Sequence, residues 1–560
     1  MQQSPPKVKP LEKDIRNLLV NSIQNTSTQL DAIQFDEAVN FGLNLSLALT
    51  SLEEQGRNGL WLHMIKNGYR PALVKNNFNG IVTNFPWLSL SKLKNNPYKK
   101  ILNKKAEIYN LKPQAQSSLH LELATLFFIH CVDIYLKDNG MAAAIVPNSV
   151  IEGTHHEPLR SQNFNEKLNI SFNFREVWNI DKSAFYKTNV AAVLIGEKGG
   201  DLEVDLIDKY VGKDISTIQY PLYLSTLNQR NAWTKKIINS DSNNGLVFNQ
   251  GADVMPRTLW VHEVKKVPGA SGRNFLSLKP IDQQTSELAQ FVKEAKKFKN
   301  FKALPVTISE KWGFQVLLST SLLQFFLNEP IIAVLPFLKR SESELNTITE
   351  APMMTLLTDK AAYSHFQRIF QELESEWGKG VNSEIIYKKV STNRQKIKNQ
   401  IFAKDDILVL FGAGGEHPAA AKVKVTESLV DDLIIDQTLY WKIAKNEEEA
   451  DYLVGLFNSS RLAEVIKPFQ PKGNHGARHI HTLLCKAIPE WDENNPLHVN
   501  VVEQTRLLTK ELFAQIALDE NVRHIANTPA NVASRRKKIR AIISQLPSYG
   551  DYDLACSIVL

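Results

Sequence analysis

The residues with the clearest chemical potential are Asn84-Phe85-Pro86-Trp87, which follow the short apolar run Ile81-Val82. An exocyclic aromatic amine is a poor nucleophile because its lone pair is delocalised into the ring. A side-chain amide oxygen at Asn84 and the carbonyl of Phe85 or Pro86 supply acceptors for both amine hydrogens, which turns the lone pair outward. Trp87 offers a flat surface on which a base extruded from a duplex can stack. This chemistry needs neither a metal nor a strong general base.

The competing interpretation of the four residues is a strand end with a core aromatic. A second copy of the pattern, Asn95-Asn96-Pro97-Tyr98, lies in a polar Lys/Asn-rich stretch. Asn84 is preferred because it leaves an apolar strand, which is expected to be buried.

The flanking elements must position these residues. The stretch from Leu43 to Leu52 and the run GLWLHMIKNGY have helical spacing, so residues 1–75 are expected to be helical. Residues SSLHLELATLFFIHCVDIYLKDNG predict a helix with Ser118 as N-cap and Gly140 at its end, apolar almost all round and therefore buried beneath a sheet. MAAAIVPNSV, FNFREVWNI and VAAVLIGEK supply three further strands. Strand, long helix, strand, helix and two strands describe half of a doubly wound α/β domain over residues 76–200.

Beyond Gly200, short β-prone runs alternate with polar turns, with helices near 286–298 and 447–459, and the tail from about residue 497 is helical. The expected organisation is a helical segment 1–75, a catalytic half-domain 76–200, a mixed α/β recognition domain 201–495 and a helical tail 496–560.

The 560 residues are 43% hydrophobic and 22% charged, enough for about two or three cored domains. A net charge of +7 favours a polyanionic partner without demanding one. Cys131, Cys485 and Cys556 are too few and too scattered for a disulfide framework or a zinc site, which points to a reducing cytoplasm. The N-terminus has no apolar core and Leu119–Leu136 is interrupted by Glu122, His130 and Asp133, so neither a signal peptide nor a membrane span is expected. There is no P-loop glycine-lysine turn and no convincing nuclease signature of Pro-Asp followed by Asp/Glu-x-Lys.

Asn84-Phe85-Pro86-Trp87, the ELATLFF helix and the AAAIVPNSVIEG strand together resemble adenine-N6 DNA methyltransferases of restriction–modification type, over roughly residues 55–200. The resemblance implies a partial Rossmann-like sheet, S-adenosylmethionine as methyl donor and double-stranded DNA as partner. It places Asn84, Phe85, Pro86 and Trp87 at the catalytic positions and Phe185, with Tyr186 as alternative, against the flipped base. Phe85 stands where the family usually has its first proline and Thr83 where a glycine is common. The single-proline form also occurs in adenine dimethylases of ribosomal RNA, but these do not resemble the long region beyond residue 200.

The family's aromatic-x-Gly-x-Gly cofactor turn is not found before Asn84. In a permuted order, Leu408–Gly415 would take that role. The residues after it predict a turn and another strand rather than the helix a cofactor turn opens, so a β-hairpin is expected there. The resulting expectation is a split or truncated methyltransferase subunit of a restriction–modification or phage-defence system, whose cofactor-holding half is a second polypeptide. The alternative is a non-catalytic subunit that directs a partner enzyme to DNA.

LIIDQTLYWKIAKNEEEADYLVGLFNSS, with Asp436, Tyr440 and Phe457-Asn458-Ser459, resembles the closing part of target-recognition domains in the same enzymes; FNQGADVMPRTLWV, with Gly251 and Arg257, resembles their opening turn. Gly251 suits a tight bend, and Arg257 either meets DNA or forms an ion pair. Lys472 and Arg478, in a glycine-bearing loop with His475, His479 and His481, and the run Arg535-Arg536-Lys537 are further candidates for phosphate contact, against solvated charge as the plain alternative. His155-His156 are expected to be structural or solvated, and no metal site is expected.

Overall fold

The computed structural model describes residues 12–560 except 27–29, 58–62, 65–66, 69–73, 94–96, 112–120, 153–155, 163, 165–167, 169, 181–190, 200–205, 212–217, 228–229, 236–238, 241–245, 255, 270–271, 283–285, 291–300, 302, 345, 378–395, 413, 415–416, 471–480 and 528–530.

Two N-terminal helices, α1 (Glu12–Thr26) and α2 (Ala32–Glu54), pack on each other. Asp31 caps α2 by accepting from the Gln34 amide at 2.8 Å, and the Gln34 side chain accepts from the Asp31 amide in return. The chain then enters β1 (Phe78–Asn84), α3 (Tyr98–Ile108), α4 (Leu123–Tyr135) and β2 (Leu136–Pro147). Next come β3 (Phe172–Ile180), β4 (Ala191–Lys198), β5 (Leu206–Val211), β6 (Ile218–Leu227) and β7 (Arg230–Thr234).

These strands form one sheet in the order β1-β2-β4-β3-β5-β6-β7, with Asn239–Ser240 pairing β6 as the eighth member. β1 runs parallel to β2, whereas β2–β4, β3–β4, β5–β6 and β6–β7 are antiparallel. The sheet is mixed, so the doubly wound expectation holds only as far as α/β class. It also runs on past residue 200, to Thr234.

One face of this sheet makes the core. Ala142, Ala144 and Val146 on β2, Val177 on β3 and Leu194 on β4 are buried with Leu126, Phe128, Ile129 and Val132 of α4. The helix is apolar around most of its circumference because the sheet takes one side and α3 another. It is shorter than expected: the backbone turns extended at Glu122 and again at Leu136, and Ser118 lies outside the described residues. The helix stops at Tyr135 because the chain passes directly into β2, where Lys198 of the neighbouring strand takes up the terminal carbonyls. Its ammonium donates to Asp133 O at 3.1 Å and Leu136 O at 2.8 Å.

The region beyond holds β8 (Asn249–Gln250), β9 (Glu263–Pro268), β10 (Asn274–Lys279), β11 (Val306–Ser309), β12 (Gly313–Leu317) and β13 (Ile331–Val334). Helix α5 (Lys360–Trp377) follows, then β14 (Ile407–Gly412), β15 (Ala420–Lys424), β16 (Leu433–Ile435), β17 (Leu439–Ile443) and α6 (Glu447–Asn458). Three small sheets result, β9-β10-β11, β13-β12-β16 and β15-β14-β17-β8. α5 was not expected from the sequence, and near 286–298 the described residues show only a single turn, Glu287–Gln290.

The tail consists of α7 (Pro496–Leu518), α8 (Glu520–Asn527), α9 (Val532–Ile543) and α10 (Tyr549–Val559). It shares a core with α6 and the four-stranded sheet through Val409, Phe411, Leu453, Phe457, Leu508 and Ile539. α6 and α7 approach so closely that a Cβ on Gly455 would stand 2.1 Å from Thr505 Oγ1. Among the described residues, no helix is long and apolar enough to cross a membrane.

Candidate functional site

β1 delivers Asn84 at its carboxyl end. The register Val82↔Ala143 and Asn84↔Ile145 sets that end beside the last turns of β2, so the residues following each strand emerge on the same side. The carboxyl ends of parallel strands are where α/β sheets hold ligands. Asn84 is exposed, and among the described residues nothing is hydrogen-bonded to its side chain, which leaves the amide available.

The loop beyond Asn84 is braced. Phe85 packs on the core 6.2 Å from the Phe127 ring, Pro86 is exposed and Trp87 is half-buried against the same core. The segment then pairs with the start of α4: Leu123 N donates to Leu88 O and Leu90 N to Leu121 O, both at 2.9 Å. The motif is thereby tied at both ends to secondary structure.

The wall on the β2 side was not anticipated. Glu122, the residue before α4, accepts from Ser149 Oγ at 3.0 Å, and its backbone bridges Ser89. Burial pushes the Glu122 carboxyl up from its ordinary value, against the opposing pull of Ser149 and Lys92. Glu122 Oε2 and Asn148 Oδ1 are buried acceptors with no partner among the described residues. Arg160 fixes this wall from beneath: its guanidinium, almost fully buried, donates to Val150 O and to Asn231 O, each at 3.0 Å. A sequence signal for Glu122 did exist, an acidic residue placed directly before an apolar helix, although it reads equally as an ordinary helix start.

β1 is not the buried strand expected. It is the edge of its sheet, and Val82 is 90% exposed. The second copy of the motif falls elsewhere: Pro97 has helical dihedrals, and exposed Tyr98 is the first residue of α3. Phe185 and Tyr186 lie outside the described residues, as do Lys472 and Arg478.

Among the described residues, no strand, glycine turn and helix forms a cofactor cradle. Ile407–Phe411 pairs antiparallel with Ala420–Lys424, so this run is the arm of a hairpin, as its composition predicts. Among the described residues, the two buried acceptors at Glu122 and Asn148 suit an ammonium or amine. No group of three or more His, Cys, Asp or Glu residues able to hold a metal occurs among the described residues.

Three of the arginines expected to contact DNA are engaged within the protein. Arg257 Nε donates to Asp436 Oδ2 at 3.1 Å, and its Nη2 to the same oxygen, inside the protein. Arg535 is buried and donates to Ile525 O at 2.9 Å and Asn328 Oδ1 at 2.8 Å. Arg536 Nε donates to Leu322 O at 3.0 Å and its Nη2 to Ser319 O at 2.7 Å; burial lowers its pKa to about 10. Arg536 thus fastens α9 to the carbonyls of Ser319 and Leu322, and Arg535 fastens it to the Asn328 side chain and to α8. Lys537, next along the helix, is exposed and faces solvent. His156 is buried with its Nδ1 2.7 Å from Thr125 Oγ1, a structural histidine.

No family model matches this chain, and no curated protein matches it. Its structural neighbours are restriction–modification enzymes. The Type IIL restriction–modification enzyme MmeI in complex with DNA is 12% identical, with 86% of this chain and 54% of that chain covered at a TM-score of 0.45. The type IIG restriction endonuclease BpuSI is also 12% identical, with 87% and 55% covered at 0.28. A nuclease-deletion mutant of the Type ISP enzyme LlaGI, bound to a DNA substrate mimic, is 12% identical with 77% and 41% covered at 0.31. The chain spans about half the length of the first two.

Proposed function

We propose that this chain is the amine-binding and target-recognition subunit of a site-specific DNA adenine-N6 methyltransferase of restriction–modification type. S-Adenosylmethionine is the methyl donor in this reading, held chiefly by a second polypeptide. The observation that carries the reading is Asn84: an exposed amide, hydrogen-bonded to none of the described residues, at the carboxyl end of a parallel strand and followed by a braced Phe-Pro-Trp loop. Asn84 accepts one amine hydrogen of an extruded adenine and the Phe85 or Pro86 carbonyl accepts the other. Trp87 lies against the base, and Phe185 or Tyr186 closes the far side.

The test is transfer of labelled methyl groups to unmethylated DNA by the chain alone and mixed with the polypeptide encoded immediately upstream. Transfer to adenine in the mixture, abolished by Asn84→Ala with DNA binding intact, supports the proposal. Transfer that survives Asn84→Ala overturns the site.

A second reading is favoured by one observation, the hairpin at Leu408–Lys424 in place of a cofactor turn. In that reading the chain directs a partner enzyme to DNA and does no chemistry. Tight DNA binding without methyl transfer in either preparation decides for it.

A further inference from the structure

The charge of this chain is unevenly distributed. From Gln55 to Leu121 the sequence has nine lysines and two arginines against one acid, Glu107, a local charge of +10. The whole chain carries +7, so everything outside that stretch is net acidic, at −3. Asn84 and its loop lie near the middle of the basic stretch. One sign of charge confined to one region is the electrostatic footprint of a polyanion site, whereas a bland soluble surface intersperses its charges.

The fold turns part of this charge outward. α3 buries Leu102 and Ala106 in the core it shares with α4. Lys100 and Lys104, one turn apart on the opposite ridge, are both exposed. Lys99 and Lys105 lie back towards the core and are half-buried, with Lys105 Nζ 3.4 Å from His130 Nε2. Lys92 is exposed at the end of the single turn Leu90–Lys92, which buried Leu90 anchors. The bridge between Ser89 and Glu122 holds that turn beside the candidate site, and the Lys92 charge is felt at the Glu122 carboxyl.

Among the described residues, Lys92, Lys100 and Lys104 make no salt bridge and no hydrogen bond. The adjoining segments 94–96 and 112–120 contain no acid that could neutralise them. Like charges four residues apart on a helix repel, so Lys100 and Lys104 do nothing for the stability of α3 itself. Arg257, Arg535 and Arg536, by contrast, are spent on contacts inside the protein.

We infer that the outward ridge of α3 together with Lys92 is a phosphate-binding surface for the DNA duplex beside the extruded base, with Lys92, Lys100 and Lys104 each meeting a backbone phosphate. The inference rests on the methyltransferase reading for its choice of double-stranded DNA as the polyanion. A base extruded towards Asn84 and Trp87 leaves the phosphates of its own strand on either side of it, so the strand must pass the basic stretch that surrounds this loop. Phosphate contacts fix register and orientation and carry no sequence information. The grip on the backbone is thereby assigned to the half-domain that receives the base, and the reading of sequence is left to the region beyond it.

The experiment titrates the full chain with a fluorescein-labelled unmethylated DNA duplex at several salt concentrations, and with a single-stranded RNA of equal length. Wild type is compared with Lys92→Gln/Lys100→Gln/Lys104→Gln, with the same three positions changed to arginine, and with Lys360→Gln/Lys404→Gln/Lys510→Gln, which removes equal charge from exposed sites elsewhere. Unchanged thermal melting establishes that each folds; Lys104→Gln alone, expected to lower the salt slope by about 1, serves if the triple variant melts early. Loss of three phosphate contacts should flatten the slope of log affinity against log salt by about 2–3 and weaken duplex binding at least about tenfold. The arginine variant keeps both, and the remote variant alters neither. A slope that the triple variant leaves within about 0.5 of wild type overturns the surface, whatever methyl transfer does in the mixture with the upstream polypeptide. An equal fall in the remote variant overturns it too, because overall charge then suffices. RNA bound more tightly than duplex through the same lysines overturns the choice of partner, and wild type that binds no duplex overturns the inference outright. A flattened slope with no methyl transfer in any preparation upholds the surface and rejects the catalytic reading.

Discussion

Arg257 and Asp436, 179 positions apart in the chain, form one buried ion pair. Asp436 is fully buried and accepts from Arg257 through Oδ2 and from the Val254 amide through Oδ1 at 3.1 Å. The pair locks the segment at Arg257 onto the residue that directly follows β16. Gly251 belongs to the same joint, since a Cβ there would stand 2.2 Å from Asp436 O. The backbones touch, and only glycine lets them.

Removing Arg257 leaves a carboxylate with one remaining donor in a dry interior. Arg257→Met is therefore expected to cost about 3–5 kcal/mol, the range for an uncompensated buried charge. Urea unfolding measures it; a loss under about 1 kcal/mol rejects the structural role and makes Arg257 a candidate DNA contact again.

The same pair predicts a pH dependence. Burial pushes the Asp436 carboxyl up to about 6 from 3.8, with Arg257 and the Val254 amide pulling the other way. A folded-state pKa above the unfolded one means the fold binds the proton more tightly. That contribution is fully present below about pH 4 and is lost as pH rises through about 6. Unfolding free energies of wild type relative to Asp436→Asn, which does not titrate, should fall between about pH 4 and 7 and level off above. A difference that rises over this range contradicts the assignment.

Arg536 and Lys537 are neighbours with opposite expected phenotypes. Arg536→Ala strands the carbonyls of Leu322 and Ser319 and should destabilise the tail by about 2–3 kcal/mol, with little effect on the salt dependence of DNA binding. Lys537→Ala should leave stability unchanged and, if α9 meets phosphates, reduce the log–log salt slope by about 1. Fluorescence-monitored unfolding and DNA titrations at several salt concentrations separate the two. A reversed pattern refutes the division of the basic run.

The basic run shows what a sequence does and does not disclose. Arg535, Arg536 and Lys537 have the same charge signature, and only the packing of α9 against residues 319–328 divides them. Periodicity revealed the strands β2, β3 and β4, the buried character of α4 and the hairpin at Leu408, because local apolar spacing determines them. It placed Val82 in the interior wrongly, since an apolar run says nothing about whether a strand has one neighbour or two. Glu122, Ser149 and Arg160 were missed for a related reason: their contacts span long stretches of chain and leave no local pattern.

Asn458 offers a test of the recognition-domain resemblance. Its carboxamide accepts from Ala420 N at 2.9 Å and donates to Ala420 O at 2.8 Å, pairing with β15 as another strand would, while its amide also reaches Val454 O at 3.0 Å. Ser459 then caps the next helix by accepting from Arg461 N. Asn458→Ala should lose about 2 kcal/mol. Asn458→Asp should do no better, because a carboxylate keeps the acceptor but faces the Ala420 carbonyl with negative charge. Equal stability of wild type and the Asn458→Asp variant in chemical denaturation would falsify the two-way pairing.

Asn84 separates binding from chemistry. The side chain is exposed and makes no hydrogen bond to a described residue, so Asn84→Ala should leave the fold within about 0.5 kcal/mol of wild type. Its loss removes an acceptor aimed at the amine as charge develops there, an effect of about 10²–10³ in the transfer step. Asn84→Asp keeps an acceptor of similar shape and should recover part of the rate, whereas Trp87→Phe should retain stacking that Trp87→Ala loses, at about 1–3 kcal/mol of base affinity. Single-turnover transfer measured beside DNA affinity distinguishes these outcomes. If Asn84→Ala weakens DNA binding as much as it slows transfer, the residue holds the duplex rather than the amine, and the catalytic assignment fails.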